Sequence, residues 1–102
     1  MDPYKKLANA IIIQAAKDYR VALRELQSYA DIEPELLLYE NELAEGKAEP
    51  DDEKDRKLGN LKRIKTDIKE IEEFFHSKLY SILTDVDGQY ILEELQKEVY
   101  GK

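Results

Sequence analysis

Residues 83–94 contain the acids and the glycine of a twelve-residue calcium loop. Four loop positions carry the residue that such a loop requires: Asp85, Asp87, Gly88 and Glu94. Leu83, however, stands at position one, where the loop needs a ligating carboxylate. A second interpretation needs no ion, because Thr84 and Asp87 have the spacing of a capping box at the start of a helix. We prefer the capped turn and predict no metal site.

The other side chains that could do chemistry are few and isolated. His76 is the only histidine and the chain has no cysteine, which excludes histidine pairs and cysteine-based zinc sites. Ser28, Ser77 and Ser81 have no nearby base and no glycines of a nucleophile elbow. No glycine-rich loop follows a strand, so the phosphate-binding motifs are absent. The sequence therefore predicts no catalytic residue, no cofactor and no enzyme activity.

Charge is unevenly distributed along the chain, whose formal net charge is −7. This excess of acids disfavours direct binding to a nucleic-acid backbone, which depends on cations that displace counterions. Residues 31–53 contain ten acids and one base, whereas residues 54–69 contain seven bases and two acids. Our first interpretation is that these neighbouring segments neutralise each other on a solvated surface. The alternative is an acidic surface that binds a basic partner, formed by Glu49, Asp51, Asp52 and Glu53.

The spacing of apolar residues predicts five helices, at about 3–30, 34–45, 50–76, 78–83 and 87–99, with an acidic loop at about 46–53. The first helix has an alanine-rich seam in steps of three and four: Ala8, Ile12, Ala15, Tyr19, Ala22, Leu26 and Tyr29. The third has a similar stripe: Leu58, Leu61, Ile64, Ile68, Ile71 and Phe75. We therefore predict one all-α domain over 1–102, an antiparallel bundle of four to five helices with two long helices.

The short helices and Phe74 lead to further expectations. The buried side of the second helix is predicted to comprise Leu36, Leu37, Leu38, Tyr39 and Leu43. The last helix is predicted to face inward with Ile91, Leu92, Leu95 and Val99. Phe74 lies to one side of the third helix's stripe, so we expect the chain to fold back and cover it.

The first helix also has an outer face that the core does not explain. Seven residues lie broadly opposite the seam: Lys6, Ala10, Ile13, Lys17, Arg20, Val21 and Arg24. One interpretation is a solvated basic face with two isolated aliphatic residues, since exposed single apolar residues are normal. The other is a contact surface for an identical subunit or an acidic partner. Of the seven tyrosines, Tyr19 and Tyr29 are expected in the core and the others are candidate interface anchors.

No segment predicts a membrane span or an export signal. The longest apolar runs have four residues, at 10–13 and 36–39, whereas a spanning helix needs about 20. The first residues lead into no apolar signal segment, and the lack of cysteines suits a reducing compartment. We expect a protein of the cytoplasm with no membrane partner.

The C-terminal third resembles small uncharacterised proteins of prophages and conjugative elements of Gram-positive bacteria. The similarity begins with Glu70-Ile-Glu-Glu-Phe-Phe-His-Ser77 and includes the stretch 10–26 with Lys17-Asp-Tyr-Arg20. The matching residues are Phe74, Phe75, Ser77, Leu83, Thr84, Asp87, Gly88, Ile91, Leu92 and Leu95. The acidic segment 31–53 departs from this pattern and looks like an insertion. The resemblance implies an origin in a mobile element and interference with host defence.

Three functions follow as hypotheses. The first is a non-enzymatic phage or mobile-element protein that binds and inhibits or modulates a host protein complex, of the anti-CRISPR or another anti-defence type. The second is a sponge that sequesters a nucleotide second messenger between subunits, using tyrosines and the basic face. The third is an accessory factor in the element's own replication or transcription. A homo-oligomer is compatible with each of them.

Overall fold

The computed structural model describes residues 2–101, which form five helices and no strand. The helices are α1 (Pro3–Ser28), α2 (Glu33–Ala44), α3 (Asp52–Phe75), α4 (Lys78–Leu83) and α5 (Gly88–Tyr100). The predicted all-α fold with two long helices is confirmed. Met1 and Lys102, which the predicted domain includes, lie outside the described residues. Most predicted helix ends differ from these by one or two residues.

Four helices begin at a side chain that caps them. Asp2 and Asp51 accept hydrogen bonds of 3.0 Å from the backbone N–H groups of Tyr4 and Lys54, while Ser77 and Asp87 cap α4 and α5. Each cap satisfies an N–H group that has no partner within its helix. The cap at Asp51 shortens the predicted loop, because the acids that follow it already belong to the first turn of α3.

The predicted capping box before α5 is wrong in its detail. Asp87 alone is the N-cap and accepts a hydrogen bond of 3.2 Å from Gln89 N–H. The hydroxyl of Thr84 instead accepts from Val86 N–H at 3.2 Å. Because this bond lies within the α4–α5 linker, Thr84 stabilises a local turn and leaves the helix start to Asp87.

The end of α2 follows the predicted glycine signal. Gly46 has φ +73°, a left-handed conformation that costs glycine little. Its N–H donates to Leu43 O at 3.1 Å, and Lys47 N–H donates to Glu42 O at 2.7 Å. These two bonds form a Schellman motif, which satisfies the last carbonyls of α2 and turns the chain towards α3.

The two long helices, α1 and α3, run antiparallel along the molecule. Tyr19 of α1 bonds to Glu72 of α3, whereas Glu25 pairs with Arg63, so numbers rise along one helix as they fall along the other. Tyr19 and Ala22 of the alanine-rich seam are buried. The molecule measures 60 × 26 × 18 Å, an elongated shape that matches the length of about 40 Å expected for each long helix plus the elements at its ends.

Most of the buried apolar residues form two clusters. The first cluster joins α1, α3, α4 and α5 and consists of Tyr19, Leu23, Phe75, Tyr80, Leu92 and Leu95. The second cluster joins α2 and α3 and consists of Leu36, Tyr39, Leu58 and Leu61. The short helices therefore occupy separate regions along the long pair: α2 packs on α3, and α4 and α5 pack on both long helices.

The burial predictions hold except on α2. Phe74 is covered as expected, since α4 folds back and places Tyr80 edge-on at 5.8 Å between ring centroids. The predictions for Leu37 and Leu38 are wrong, because both side chains are exposed. A run of four apolar residues on a helix points in several directions, and α2 packs against α3 only through the side of Leu36 and Tyr39.

Tyr19 connects three helices through its hydroxyl group. The side chain is 0% exposed, and its Oη donates to Glu72 Oε2 at 2.7 Å and accepts from Gln96 Nε2 at 2.9 Å. Burial raises the pKa of Tyr19 to about 12, and the carboxylate of Glu72 adds to this increase. The neutral phenol is therefore the form that joins α1 to α3 and α5.

Gly88 allows α5 to approach the end of α3 closely. A Cβ atom at this position would lie 1.9 Å from the backbone oxygen of Phe75, far inside contact distance. Because the obstructing atom belongs to the backbone, no side-chain rotation could relieve the contact. Glycine is thus required here by packing, while its φ angle is not in the left-handed region.

Replacing Gly88 by alanine is expected to lower the free energy of unfolding by about 1–3 kcal/mol, the usual cost of overpacking. Gly59 is the matched control, since it lies within α3 with no atom within 4 Å of its added Cβ. Gly59→Ala is expected to raise stability by about 1 kcal/mol through helix propensity. Urea unfolding monitored by circular dichroism measures both. Equal effects of the two substitutions would contradict the packing role of Gly88.

Tyr19→Phe is expected to lower stability by about 1–2 kcal/mol at neutral pH, because Glu72 and Gln96 lose a buried hydrogen-bond partner. Stability should also fall as pH rises from 10 towards 12. In that window the unfolded tyrosine, with its ordinary pKa of 10.0, ionises while folded Tyr19 stays neutral.

Urea unfolding at pH 8 and pH 11 measures this dependence. The loss of stability between the two pH values should be smaller for Tyr19→Phe than for the unchanged chain. Tyr4→Phe is the control, since Tyr4 is exposed. The same loss of stability in all three proteins would refute the raised pKa of Tyr19.

Candidate interaction surfaces

The outer face of α1 is largely solvent-exposed, as its sequence position predicts. Five of its members lie free on the surface: Lys6, Ala10, Ile13, Lys17 and Arg24. Ile13 is 53% exposed, which is high for an isoleucine. These residues form a basic stripe with an apolar centre, and its role as a contact surface stays a prediction.

Arg20 and Val21 do not belong to this stripe in the way the sequence suggests. Arg20 forms an ion pair with Glu98 of α5, so its charge is used within the fold. Val21 is 53% exposed but borders a groove between α1 and α3 that also contains Asp67 and Glu70. The basic rim expected around Val21 is therefore replaced by acids on one side. Both differences arise because α3 and α5 pack beside α1, which the sequence of α1 alone does not show.

The opposite charges of α2 and α3 meet across their interface. Lys54 pairs with Glu35 at 3.8 Å. Two further ion pairs join these helices, Lys62 with Glu40 and Lys65 with Glu33. The interpretation that the acidic and basic segments neutralise each other is confirmed for these residues. Because the pairs are partly exposed, each contributes only about 0–1 kcal/mol.

The four residues predicted as an acidic surface serve different roles. Asp51 caps α3, Glu53 pairs with Lys57 at 3.0 Å, and Asp52 is exposed in the first helical turn. Glu49 and Asp51 share a groove of about 260 Å³ with Glu35 and Glu42 of α2 and with Lys54 of α3, which pairs with Glu35. We call this the acidic groove.

An exposed leucine lies within the acidic groove. Leu38 is 58% exposed and lines the groove beside Tyr39. The hydroxyl of Tyr39 donates to Asp55 Oδ1 at 2.7 Å and accepts from Asp51 N–H at 2.8 Å, which anchors the loop against α2. Burial and the hydrogen bond to Asp55 raise the pKa of Tyr39. The groove thus combines a loop fixed by hydrogen bonds, an exposed leucine, and a rim with more acids than bases.

A further apolar surface lies where α1 begins and α4 ends, which the sequence analysis missed. Six large apolar side chains are exposed on these elements and the linker that follows: Tyr4, Leu7, Ile11, Leu79, Ile82 and Val86. Tyr4 and Ile82 line one groove of about 340 Å³. The helical spacing of Tyr4, Leu7 and Ile11 could have indicated it, since they extend the core-facing side of α1 beyond the end of α3.

The third region of interest is the cleft formed by α4 and the start of α5. Its volume is about 470 Å³, and its lining comprises Phe75, His76, Ser77, Tyr80, Ser81 and residues 84–89. Residues 84–89, which belong to the segment that resembles a calcium loop, therefore lie here. Among residues 2–101, no three histidine or acidic side chains come together as a metal site would require. Asp87 and Thr84 instead bond to backbone N–H groups.

Tyr80 is the unusual residue of this cleft. The residue is 3% exposed, and its hydroxyl oxygen is buried with no hydrogen-bond partner within the described part of the chain. Burial raises the pKa of Tyr80, and the charge of Asp87 adds to the increase. Sequence reasoning placed Tyr80 on α4 but could not locate its hydroxyl. Both Tyr39 and Tyr80 are buried, so they do not act as the exposed interface anchors that the sequence suggested.

Comparison of the chain with protein-family models, with curated proteins and with solved structures gives no match. Within residues 2–101, no helix has the length and apolar character needed to cross a bilayer.

Tyr80→Phe is expected to leave the fold intact and to raise the free energy of unfolding by about 1 kcal/mol, because a buried unpaired hydroxyl costs stability. Tyr39→Phe is the matched comparison and is expected to lower it by a similar amount, since its hydroxyl has two partners. Thermal unfolding followed by circular dichroism measures both. A marked destabilisation by Tyr80→Phe would show that the hydroxyl has a partner in solution.

Proposed function

We propose that this chain is a non-enzymatic protein of a phage or mobile element that binds a host protein complex and inhibits or modulates it. The anti-CRISPR type, or another anti-defence type, is the form of this activity that we favour. The protein would then act in the cytoplasm of the bacterial host cell.

The acidic groove is the observation that carries the proposal. Its lining includes four carboxylates and one base, Lys54, which pairs with Glu35. Leu38 lines the same groove, and covering its exposed apolar surface is favourable when a partner binds. Complementary charge accelerates and orients such an encounter. A partner for this groove should present basic side chains beside an apolar one.

Host complexes that handle nucleic acid fit this description. They carry positively charged surfaces because they must neutralise phosphates. An acidic protein that docks on such a surface blocks the nucleic acid without catalysing any reaction. The net charge of −7 supports the same type of partner.

The basic stripe of α1 is the competing contact surface. Ile13 provides apolar area there, while Lys17 and Arg24 provide a positive rim. Its partner would be an acidic protein or a second copy of this chain, and not a nucleic-acid-binding surface. Variants in the two surfaces therefore distinguish the two modes of binding.

Two experiments test the proposal. Host proteins are first captured on the immobilised chain, and the activity of the captured complex is then assayed with added free chain. We expect one stoichiometric complex whose activity falls on addition of the chain. The variant Leu38→Ser/Glu42→Gln/Glu49→Gln should weaken this binding about tenfold or more, equivalent to about 1.4 kcal/mol.

The matched control is Ile13→Ser/Lys17→Gln/Arg24→Gln, which changes one exposed apolar residue and two charges on α1. This control should bind the complex as the unchanged chain does. Circular dichroism must show both variants folded. The absence of any stoichiometric partner, or equal binding by the groove variant, would count against the proposal.

A further inference from the structure

The cleft at the start of α5 contains a polar group that the fold itself does not use. The hydroxyl of Tyr80 is buried without a partner among residues 2–101, which is uncommon because buried polar groups are nearly always hydrogen-bonded. A phenylalanine would pack against Phe74 and Phe75 equally well. The hydroxyl therefore points to a ligand that supplies the missing hydrogen bond.

The remaining hydroxyl groups of the cleft are already engaged. Ser77 Oγ donates to Phe74 O at 2.6 Å, and Ser81 Oγ donates to Lys78 O at 2.7 Å. Thr84 Oγ1 accepts from Val86 N–H. The polar side chains of the cleft that make no hydrogen bond or ion pair within residues 2–101 are therefore Tyr80, His76 and Asp85.

The carboxylates of the cleft are available acceptors and lie beside the imidazole of His76, which can donate as well as accept. The carboxylate of Asp85 has no ion pair or hydrogen bond among the described residues, and Asp87 uses only Oδ1, for its cap on α5. Ionised carboxylates accept hydrogen bonds and donate none, and the Tyr80 oxygen accepts as well as donates. The chemistry of the cleft therefore favours a ligand that is rich in N–H donors.

The electrostatic surroundings favour a positive charge. The helix α3 ends beside the cleft at Phe75, and the carbonyl groups at a helix end carry partial negative charge. The N-terminal end of α5, which carries partial positive charge, also lies here, and the carboxylate of Asp87 caps it by accepting a hydrogen bond from Gln89 N–H. Lys5 borders the adjoining groove with Asp85 and forms no ion pair with it among the described residues.

We propose that this cleft binds a single guanidinium or alkylammonium group, which donates to Tyr80 Oη and pairs with Asp85 and Asp87. The volume of about 470 Å³ accommodates such a group together with the chain that carries it. The group belongs either to a basic side chain of a protein or to a free polyamine. This site is separate from the acidic groove, so its test does not depend on the proposed function.

The experiment is a titration of the purified, ¹⁵N-labelled chain followed by NMR. The probes are an acetylated and amidated Gly-Arg-Gly peptide, the same peptide with citrulline in place of arginine, and spermidine. Citrulline has nearly the shape of arginine but no charge. We expect the arginine peptide to shift the amide signals of Ser81, Val86 and Gln89, and to bind at least tenfold tighter than the citrulline peptide.

Three variants assign the binding to the proposed groups. Asp87→Asn should weaken binding at least fivefold while keeping the cap, because asparagine also caps helices. Asp85→Asn should weaken it similarly, and Tyr80→Phe at least threefold. Asp52→Asn and Tyr90→Phe are controls at exposed positions outside the cleft and should leave binding unchanged.

The two sources of the group are distinguished by their relative affinity. Tighter binding of the arginine peptide than of spermidine supports a protein side chain, and the reverse supports a free polyamine. Three results would overturn the proposal: equal binding of the citrulline peptide, an equal loss of binding in Asp52→Asn, or no shift of the cleft signals with any probe.

Discussion

The hydroxyl of Tyr19 meets Glu72 and Gln96 inside the protein, and this contact sets the arrangement of three helices. A phenol without partners would be costly at a site with no exposure to solvent. Because its two partners come from α3 and α5, the hydrogen bonds are complete only when both helices pack against α1. The first apolar cluster forms around this contact, and α4 is held by its link to α3 and by Tyr80. The alanine-rich seam of α1 supports the same geometry, since small side chains let the long helices approach.

The division of the core into two clusters explains where the exposed surfaces lie. Because α2 covers one region of α3 while α4 and α5 cover another, no single layer of helices shields the whole long pair. Apolar residues of α1 such as Leu7 and Ile11 consequently remain at the surface. The acidic groove and the cleft beside Tyr80 both occur where a short helix meets a loop. Such junctions bring together side chains from helix caps and turns, which are rich in aspartate, serine and threonine.

Some charges of the protein form ion pairs within the fold, and others remain unpaired at its surface. On the side of α2, bases of α3 pair with several acids, and this leaves a smaller set of unpaired carboxylates. Exposed ion pairs add little stability, so the apolar clusters and the caps hold the fold. The excess negative charge thus remains at the surface and is not required for the fold.

The sequence alone determined the helices, because apolar spacing and caps such as Asp51 act over only a few residues. It also predicted the inward residues of α1, α3 and α5, where a long helix buries one continuous stripe. Tertiary structure decided the rest. It left Leu37 and Leu38 exposed, paired Arg20 with Glu98, and isolated the hydroxyl of Tyr80. The acidic groove was predictable only in part, since Glu49 and Asp51 were recognised but the contributions of α2 were not. These features depend on which helix covers which face, and that follows from contacts between residues far apart in the chain.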